Sequence, residues 1–295
     1  MIFPALRRKT YKLQFKKNQM KTIKLLIAGM ICALSACTSD DNQTTREPEN
    51  FVLAREISNS EHQIEIYTAT GQFVQGHNDI YFKIRDRESG NYLPGAQMTV
   101  LPLMQMTMMQ HSCPVTAVTS SSANPEIYAT RIIFQMAGND MEGWTLKVDY
   151  TLNGNAYSAE GAIDVLPSVL RTVNSFTGSD GSKYVMALVG PATPSVAMNE
   201  MVVAVYRMES MMDFAPVSGY TVKIDPRMPG MGNHSSPNNT DLVQSGEFYS
   251  GTLSLTMTGL WRINMILESA DGTPVKGEAV TETNPQSSLY FELEF

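Results

Sequence analysis

Two segments of this chain share the pattern Met-x-x-His-Ser-x-Pro, at residues 108–114 and at residues 231–237. Thioether sulfur and imidazole nitrogen are soft ligands that carry no charge of their own, and they form the ligand set that suits Cu(I). Methionine is also a common filler of irregular cores. The two segments therefore predict metal sites built from methionine and histidine, with core packing as the alternative interpretation.

The second segment lies among glycine and proline residues, a composition typical of a loop. A methionine in such a loop has no core to fill, so we favour metal ligation over packing there. The candidate ligands of the second segment are Met228, Met231 and His234.

The first segment is less distinct. Met104, Met108 and His111 take the matching places, but Met106 and Met109 add further sulfur atoms. Alternation along residues 104, 106 and 108 is equally typical of one face of a strand. Metal ligation and core packing both stay open for this set.

The amino-terminal residues resemble a lipoprotein leader. Residues 1–24 hold eight basic side chains and no acidic one, and an apolar run follows at residues 25–34. The run is too short to span a bilayer and is typical of a secretory signal. Leu34-Ser35-Ala36-Cys37 resembles the bacterial lipobox. We therefore predict a signal peptide at residues 1–36 and a lipid anchor at Cys37, which several acyl chains would make stable.

Residues 37–50 are polar and are predicted to form a flexible tether. Asp40 and Asp41, shortly after the lipidated cysteine, resemble the surface-export signal of lipoproteins from the Bacteroidetes group. The predicted location is the outer membrane, on its periplasmic face or at the cell surface.

Charge and motifs exclude several classes of function. The leader holds eight of the 22 basic residues and none of the 29 acidic ones, so the remaining chain has a net charge near −15. Such a charge disfavours nucleic acid as a partner. The sequence also lacks a glycine-rich phosphate loop, a nucleophile elbow and a His-Glu-x-x-His pattern. We therefore expect a protein that is not an enzyme.

Cys113 is the only cysteine after Cys37, so no internal disulfide is expected once the leader is removed and Cys37 is lipidated. It stands in a turn-like segment between His111-Ser112 and Pro114. It is a candidate metal ligand or reactive thiol, and a small buried side chain is the alternative.

The chain beyond the tether repeats itself, because the same residue types recur in the same order at nearly constant spacing. This repetition predicts two modules, at residues 51–166 and 183–295, joined by a linker at residues 167–182. The matching pairs are Asn78 and Asn199, Tyr128 and Tyr249, Met136 and Met257, and Trp144 and Trp261.

Within each module, apolar and polar residues alternate at period two, for example at residues 64–67, 144–150 and 289–293. Asn153-Gly154 and Asp271-Gly272 supply turns. No helical pattern appears outside the leader. The expected fold is all-β, with two tandem immunoglobulin-like antiparallel β-sandwich modules.

The second module resembles the YtkA-like and FixH-like domains of exported bacterial proteins. The resemblance rests on residues 228–234, 246–249 and 257–263. Those families are β-sandwiches associated with copper or with cytochrome oxidase assembly, so the resemblance implies a sandwich fold and copper handling. The first module is similar but departs from the pattern, since Gln105 stands where the second has Pro229.

Met136 and Met257 end alternating runs, which favours core packing, although a strand end beside the histidine loop would add a sulfur ligand. Two hypotheses follow. One is a lipid-anchored Cu(I)-binding protein that buffers, delivers or sequesters copper, with a copper donor or acceptor protein as its partner. The other is an interaction protein whose methionine-rich segments contact a partner in the cell envelope.

Overall fold

The computed structural model describes residues 50–295, which belong to one compact unit, Glu47–Phe295. The predicted signal peptide, the lipidation site Cys37 and the tether up to residue 49 lie outside the described residues. Within the described part, the only helical element is one short 3-10 turn, Pro229–Met231, and no helix there has the length and apolarity to cross a membrane. The predicted all-β fold is confirmed.

The first module is a sandwich of two antiparallel sheets with a core of aliphatic and aromatic side chains between them. Its strands are β1 (Val52–Ser58), β2 (His62–Thr68), β3 (Phe73–Val74), β4 (Gly76–Asp86), β5 (Gln97–Gln105), β6 (Gln110–His111), β7 (Thr119–Ser120), β8 (Tyr128–Phe134), β9 (Gly143–Leu152), β10 (Asn155–Ile163) and β11 (Val165–Leu166). One sheet has the order β1-β2-β4-β8-β7 and the other β10-β9-β5-β6, while β3 and β11 form a parallel pair.

The second module repeats this arrangement, but β18 pairs with both β19 and β16 and so joins its two sheets at one edge. Its strands are β12 (Val173–Thr177), β13 (Lys183–Gly190), β14 (Met198–Met208), β15 (Phe214–Pro216), β16 (Thr221–Met228), β17 (His234–Ser235), β18 (Leu242–Ser245), β19 (Phe248–Ser254), β20 (Leu260–Glu268), β21 (Pro274–Lys276) and β22 (Tyr290–Glu294). The main path runs β12-β13-β14-β19-β18-β16-β20-β21, with β22 also on β20.

The matched tyrosines make the same contacts in both modules. Tyr128 donates its hydroxyl hydrogen to the carbonyl of Leu93 at 2.9 Å, and Tyr249 donates to the carbonyl of Val217 at 2.9 Å. Each hydroxyl also accepts the backbone N–H of the residue three positions after that carbonyl, which is Ala96 in the first module and Tyr220 in the second. A buried phenol that is satisfied twice fixes the loop that crosses above it.

The matched asparagines also correspond. The side-chain amide of Asn78 donates to the carbonyl of Val74 at 2.7 Å, and that of Asn199 donates to the carbonyl of Ser195 at 2.9 Å. In each case the side-chain oxygen accepts the N–H of the same partner at 3.0 Å. The spacing seen in the sequence therefore reflects a repeated set of backbone clamps at the start of a central strand.

One buried ionic cluster departs from the alternation along β2. Period two predicts a solvent-exposed Glu65, but Glu65 and its cross-strand partner Lys83 are both buried. The hydroxyls of Tyr67 and Tyr92 donate to Glu65 at 2.6 and 3.0 Å, and the Lys83 ammonium lies 3.5 Å from the centre of the Tyr92 ring. Two phenols satisfy this carboxylate, so the polar face of the strand is covered.

The two modules pack directly against each other. Val185 and Ala187 on β13 and Ala204 and Tyr206 on β14 face away from the core of their own module and cluster with Ile133 of β8. Strands β13 and β14 of the second module are therefore buried on both faces.

The segment predicted as the linker, residues 167–182, contains β12, which pairs with β13 through residues 173–177. Gly178, Asp180 and Gly181 form the tight turn between these two strands, and the N–H of Ser179 donates to the carbonyl of Val275. The second module therefore begins near residue 173, and the connection between the modules is short.

Candidate functional site

A β-hairpin of the second module carries Met228, Met231 and His234. Met228 ends β16 and pairs across the hairpin with His234, the first residue of β17. The 3-10 turn between them starts with a proline, which needs no N–H partner at that position. Gly232 follows with a φ of 65°, a left-handed conformation that glycine adopts without strain. The predicted ligands of the second module therefore lie on one tight loop.

These three side chains differ in exposure. Met228 is buried, and its terminal methyl lies 3.1 Å from where a Cβ on Gly259 would stand. Met231 is 59% exposed and His234 is exposed. The hairpin thus presents one sulfur and one imidazole to solvent and holds a second sulfur at the edge of the core.

The residue before His234 is anchored on both sides. The Asn233 side-chain amide donates to the carbonyl of Pro285 at 3.0 Å, and Arg227 donates to the carbonyl of Asn233 at 3.4 Å. Arg227 is itself held by two hydrogen bonds to the Asp225 carboxylate, at 2.8 and 3.0 Å. These contacts fix the backbone from which the His234 side chain extends.

The first module has a hairpin with the same pairing, in which Met104 of β5 stands opposite His111 of β6. The loop is closed by a hydrogen bond from the N–H of Met106 to the carbonyl of Met109 at 2.9 Å. Met104 is fully buried in the core, whereas Met108 is 89% exposed in the loop. Of the two interpretations for this set, core packing fits Met104, while Met108 projects into solvent.

His111 has one ring nitrogen committed and the other available. Its Nδ1 lies 2.8 Å from the carbonyl oxygen of Ser112, and a carbonyl can only accept, so Nδ1 carries the hydrogen. The neutral ring then has a free lone pair on Nε2, the arrangement in which a histidine binds a metal. The ring meets Trp144 edge to face, with the ring centres 5.5 Å apart.

Cys113 lies in the core of the first module. Burial raises the pKa of its thiol well above the ordinary value, because the thiolate would lose its hydration. A neutral thiol is a poor nucleophile and a poor metal ligand. This environment favours the packing interpretation of Cys113 over ligation.

In each module the matched tryptophan donates a hydrogen bond to the backbone of a methionine. The indole N–H of Trp144 donates to the carbonyl of Met136 at 3.0 Å, and that of Trp261 donates to the carbonyl of Met257 at 2.9 Å. Both indoles are buried, and both methionine residues are half-buried. Met136 and Met257 therefore lie at the border of the core, where part of each residue is accessible to solvent.

The motifs in the sequence did not point to Met208 or Met211 as metal ligands. They stand at the hairpin between β14 and β15, and the carbonyl of Met211 accepts the N–H of Ser112 at 2.8 Å. The available signal was the unbroken apolar run along β13 and β14, which is typical of strands buried on both faces.

Oxygen and thiolate ligands do not gather in the described part of the chain. Within residues 50–295, no three side chains of histidine, cysteine, aspartate or glutamate come together in a way that could hold a metal ion. A site with three side-chain ligands there would draw on methionine sulfur or on uncharged oxygen.

The chain was compared with curated proteins and with models of protein families. No curated protein matches the chain. A family model described as YtkA-like matches residues 179–265, from the turn before β13 into β20, and the match includes the hairpin of Met228 and His234. Residues 179–265 of this chain are therefore similar to the YtkA-like family.

Proposed function

We propose that this chain is a lipid-anchored, non-enzymatic protein of the bacterial cell envelope that binds Cu(I) at the hairpin of Met228, Met231 and His234. One observation carries the proposal. The two strands pair Met228 with His234 across a turn that holds Met231, so two thioethers and one imidazole share one short loop.

The chemistry of this set selects a soft ion. Three uncharged ligands leave the positive charge of a bound ion uncompensated, which disfavours a dication more than the singly charged Cu(I). Mg²⁺ and Ca²⁺ call for six or more oxygen ligands, which this hairpin does not supply. The copper association implied by the resemblance to the YtkA-like family supports the same choice.

Exposure of the hairpin suits transfer of the ion. His234 and Met231 are open to solvent, so a donor or acceptor protein can reach both without unfolding the loop. Met228 stays against Gly259 as the inner ligand. We therefore propose buffering or delivery of copper, with exchange through the exposed side.

The anchor and the charge fit an envelope role. Cys37 follows a lipobox-like segment and would hold the chain on the outer membrane. The net charge near −15 of the chain beyond the leader attracts cations to its surface and raises their local concentration.

Competition for Cu(I) tests the proposal. The purified protein is titrated against a chromogenic Cu(I) chelator of micromolar affinity under anaerobic, reducing conditions. We expect the protein to take copper from the chelator, and Met231→Leu to weaken the hairpin site about tenfold or more, since one ligand is lost. Met141→Leu is the matched control, because Met141 is 80% exposed in the other module.

Absence of competition by the wild-type protein would overturn the copper proposal. Equal affinities of Met231→Leu and Met141→Leu would remove Met231 from the site. The first outcome would leave the methionine-rich hairpins as contact surfaces for a protein partner.

A further inference from the structure

A groove of about 580 Å³ lies between the two modules, beside the histidine hairpin of the first. Soft donor groups from both modules line it: His111 and Met136 from the first, and Met208 and Met211 from the second. The sequence suggested a place for Met136 beside the histidine loop, but it gave no link between the first module and Met208 or Met211. The packing of the modules brings them to one place.

The loop that supplies the second pair is held against the first module. The N–H of Ser112, the residue after His111, donates to the carbonyl of Met211 at 2.8 Å. The loop is closed by a hydrogen bond from the N–H of Glu209 to the carbonyl of Asp213 at 3.0 Å. Met211 therefore reaches the groove from a short, constrained hairpin.

His111 is prepared for ligation before any ion arrives. Its Nδ1 hydrogen is donated to the Ser112 carbonyl, so in the neutral ring the lone pair lies on Nε2, and the edge contact with Trp144 restricts rotation of the ring. Outer contacts of this kind fix the tautomer and orientation of a metal-binding histidine.

The lining selects the class of ion. It contains no carboxylate, and its one charged residue, Lys183, is exposed to solvent. A divalent ion that requires charged oxygen would find no partner there. One imidazole and three thioethers, next to the aromatic rings of Phe176 and Tyr184, suit a soft monovalent ion.

We propose that this groove is a second Cu(I) site, formed by His111, Met136, Met208 and Met211. It is separate from the hairpin of Met231 and His234 and rests on the proposed function only for the choice of metal. Because two ligands come from each module, a bound ion links the modules and stabilises their packing. We call this groove between the modules the junction site. Binding of an ion there requires that the two modules stay packed together.

Methyl NMR of the full chain tests the inference. Methionine is labelled with carbon-13 at its methyl group, signals are assigned with single Met→Leu variants, and Ag(I) is added as a soft monovalent probe that does not change oxidation state. We expect the signals of Met136, Met208 and Met211 to shift, together with that of Met231 from the hairpin. The signal of Met212 should stay in place.

The matched control compares neighbours in one loop. Met211 and Met212 are 37% and 44% exposed, but only Met211 lines the groove. Met211→Leu should weaken the junction site about tenfold or more, and Met212→Leu should leave it unchanged. Equal affinities for the two variants would overturn the inference.

The two sites fail in distinguishable ways. A shift of Met231 without shifts of Met208 and Met211 would overturn the junction site and leave the hairpin site standing. Shifts of Met208 and Met211 alone would do the reverse. If no methyl signal responds to Ag(I), both proposals fail.

Discussion

His111 and His234 occupy the same hairpin position in the two modules, each opposite a methionine, yet their surroundings differ. His111 is buried, with a fixed tautomer and a tryptophan beside it, whereas His234 is exposed on a loop that Asn233 anchors. A buried ligand favours slow exchange of a bound ion, and an exposed one favours transfer. The proposed sites therefore differ in kinetics more than in chemistry.

At the scale of single residues, Cys113 provides a direct prediction. Because burial raises the pKa of its thiol and hides it from solvent, we expect no reaction with a thiol reagent in the native protein. Reaction should follow only after unfolding in denaturant. Labelling over time, with the modified residue located by mass spectrometry, provides the measurement. Rapid labelling of Cys113 in the native state would restore it as a candidate ligand.

The sequence identified some of these residues and missed others for physical reasons. Glycine and proline around Met231 predicted a loop, and the structure shows one. Met104 was ambiguous because alternation at period two describes both a ligand row and a strand face, and its burial favours core packing. Only the apolar runs of the neighbouring strands β13 and β14 pointed towards Met211, since its place depends on the contact between modules.

At the scale of strands, alternation worked wherever one face of a strand is buried. Trp144, Leu146, Val148 and Tyr150 are the buried face of β9, as their spacing predicted. Asn153-Gly154 forms the predicted turn with both φ angles positive. Alternation failed for β2, where Tyr67 and Tyr92 cover the polar face, and such cover cannot be seen in a local pattern.

An ion cluster on the strands where the two modules meet predicts that the stability of the fold depends on pH. Asp79 on β4 lies 3.4 Å from the His77 ring and 3.3 Å from the Arg131 guanidinium, and Arg131 also lies over the ring of Phe248 from the second module. The nearby His77 ring and the Arg131 guanidinium hold the pKa of the Asp79 carboxyl below its ordinary value of 3.8.

A carboxylate with a lowered pKa stabilises the fold above its ordinary pKa, and this contribution is lost as the pH falls through the folded value. We therefore expect stability to fall below about pH 4 and Asp79→Asn to reduce that slope. At neutral pH the variant should lose about 1 kcal/mol or less, since Asp79 is half-exposed. Denaturant unfolding between pH 3 and pH 7 checks this. Asp140→Asn, at an exposed turn, is the control, and an equal change of slope in both variants would contradict the role of Asp79.

At the scale of the whole molecule, the packing of the modules changes what a fragment should do. Residues 183–295 were the second module expected from sequence, but a fragment starting there lacks β12 and exposes the outward face of β13 and β14. Burial of each Val-sized side chain contributes about 1.5–3 kcal/mol. The junction therefore contributes substantially to the stability of the second module.

We expect a fragment starting at residue 172 to unfold cooperatively and to be more stable than a fragment starting at residue 183. The shorter fragment should show a lower denaturant midpoint or aggregate. Chemical denaturation of both fragments and of the longer chain checks this order. Equal stability of all three would show that neither β12 nor the junction matters to the second module.

The central claim is that Met228, Met231 and His234 form a Cu(I) site, and melting curves of two variants test it most directly. Both carry Met211→Leu to weaken the junction site, and one also carries His234→Ala. With free Cu(I) a hundredfold above the dissociation constant, the protein that retains His234 should gain about 2.7 kcal/mol, and the other should gain little. Without metal the two should differ by less than about 0.5 kcal/mol, since an exposed loop histidine contributes little to folding. A large loss of stability without metal, with the same response to Cu(I) in both, would make His234 a structural residue and contradict the proposed site.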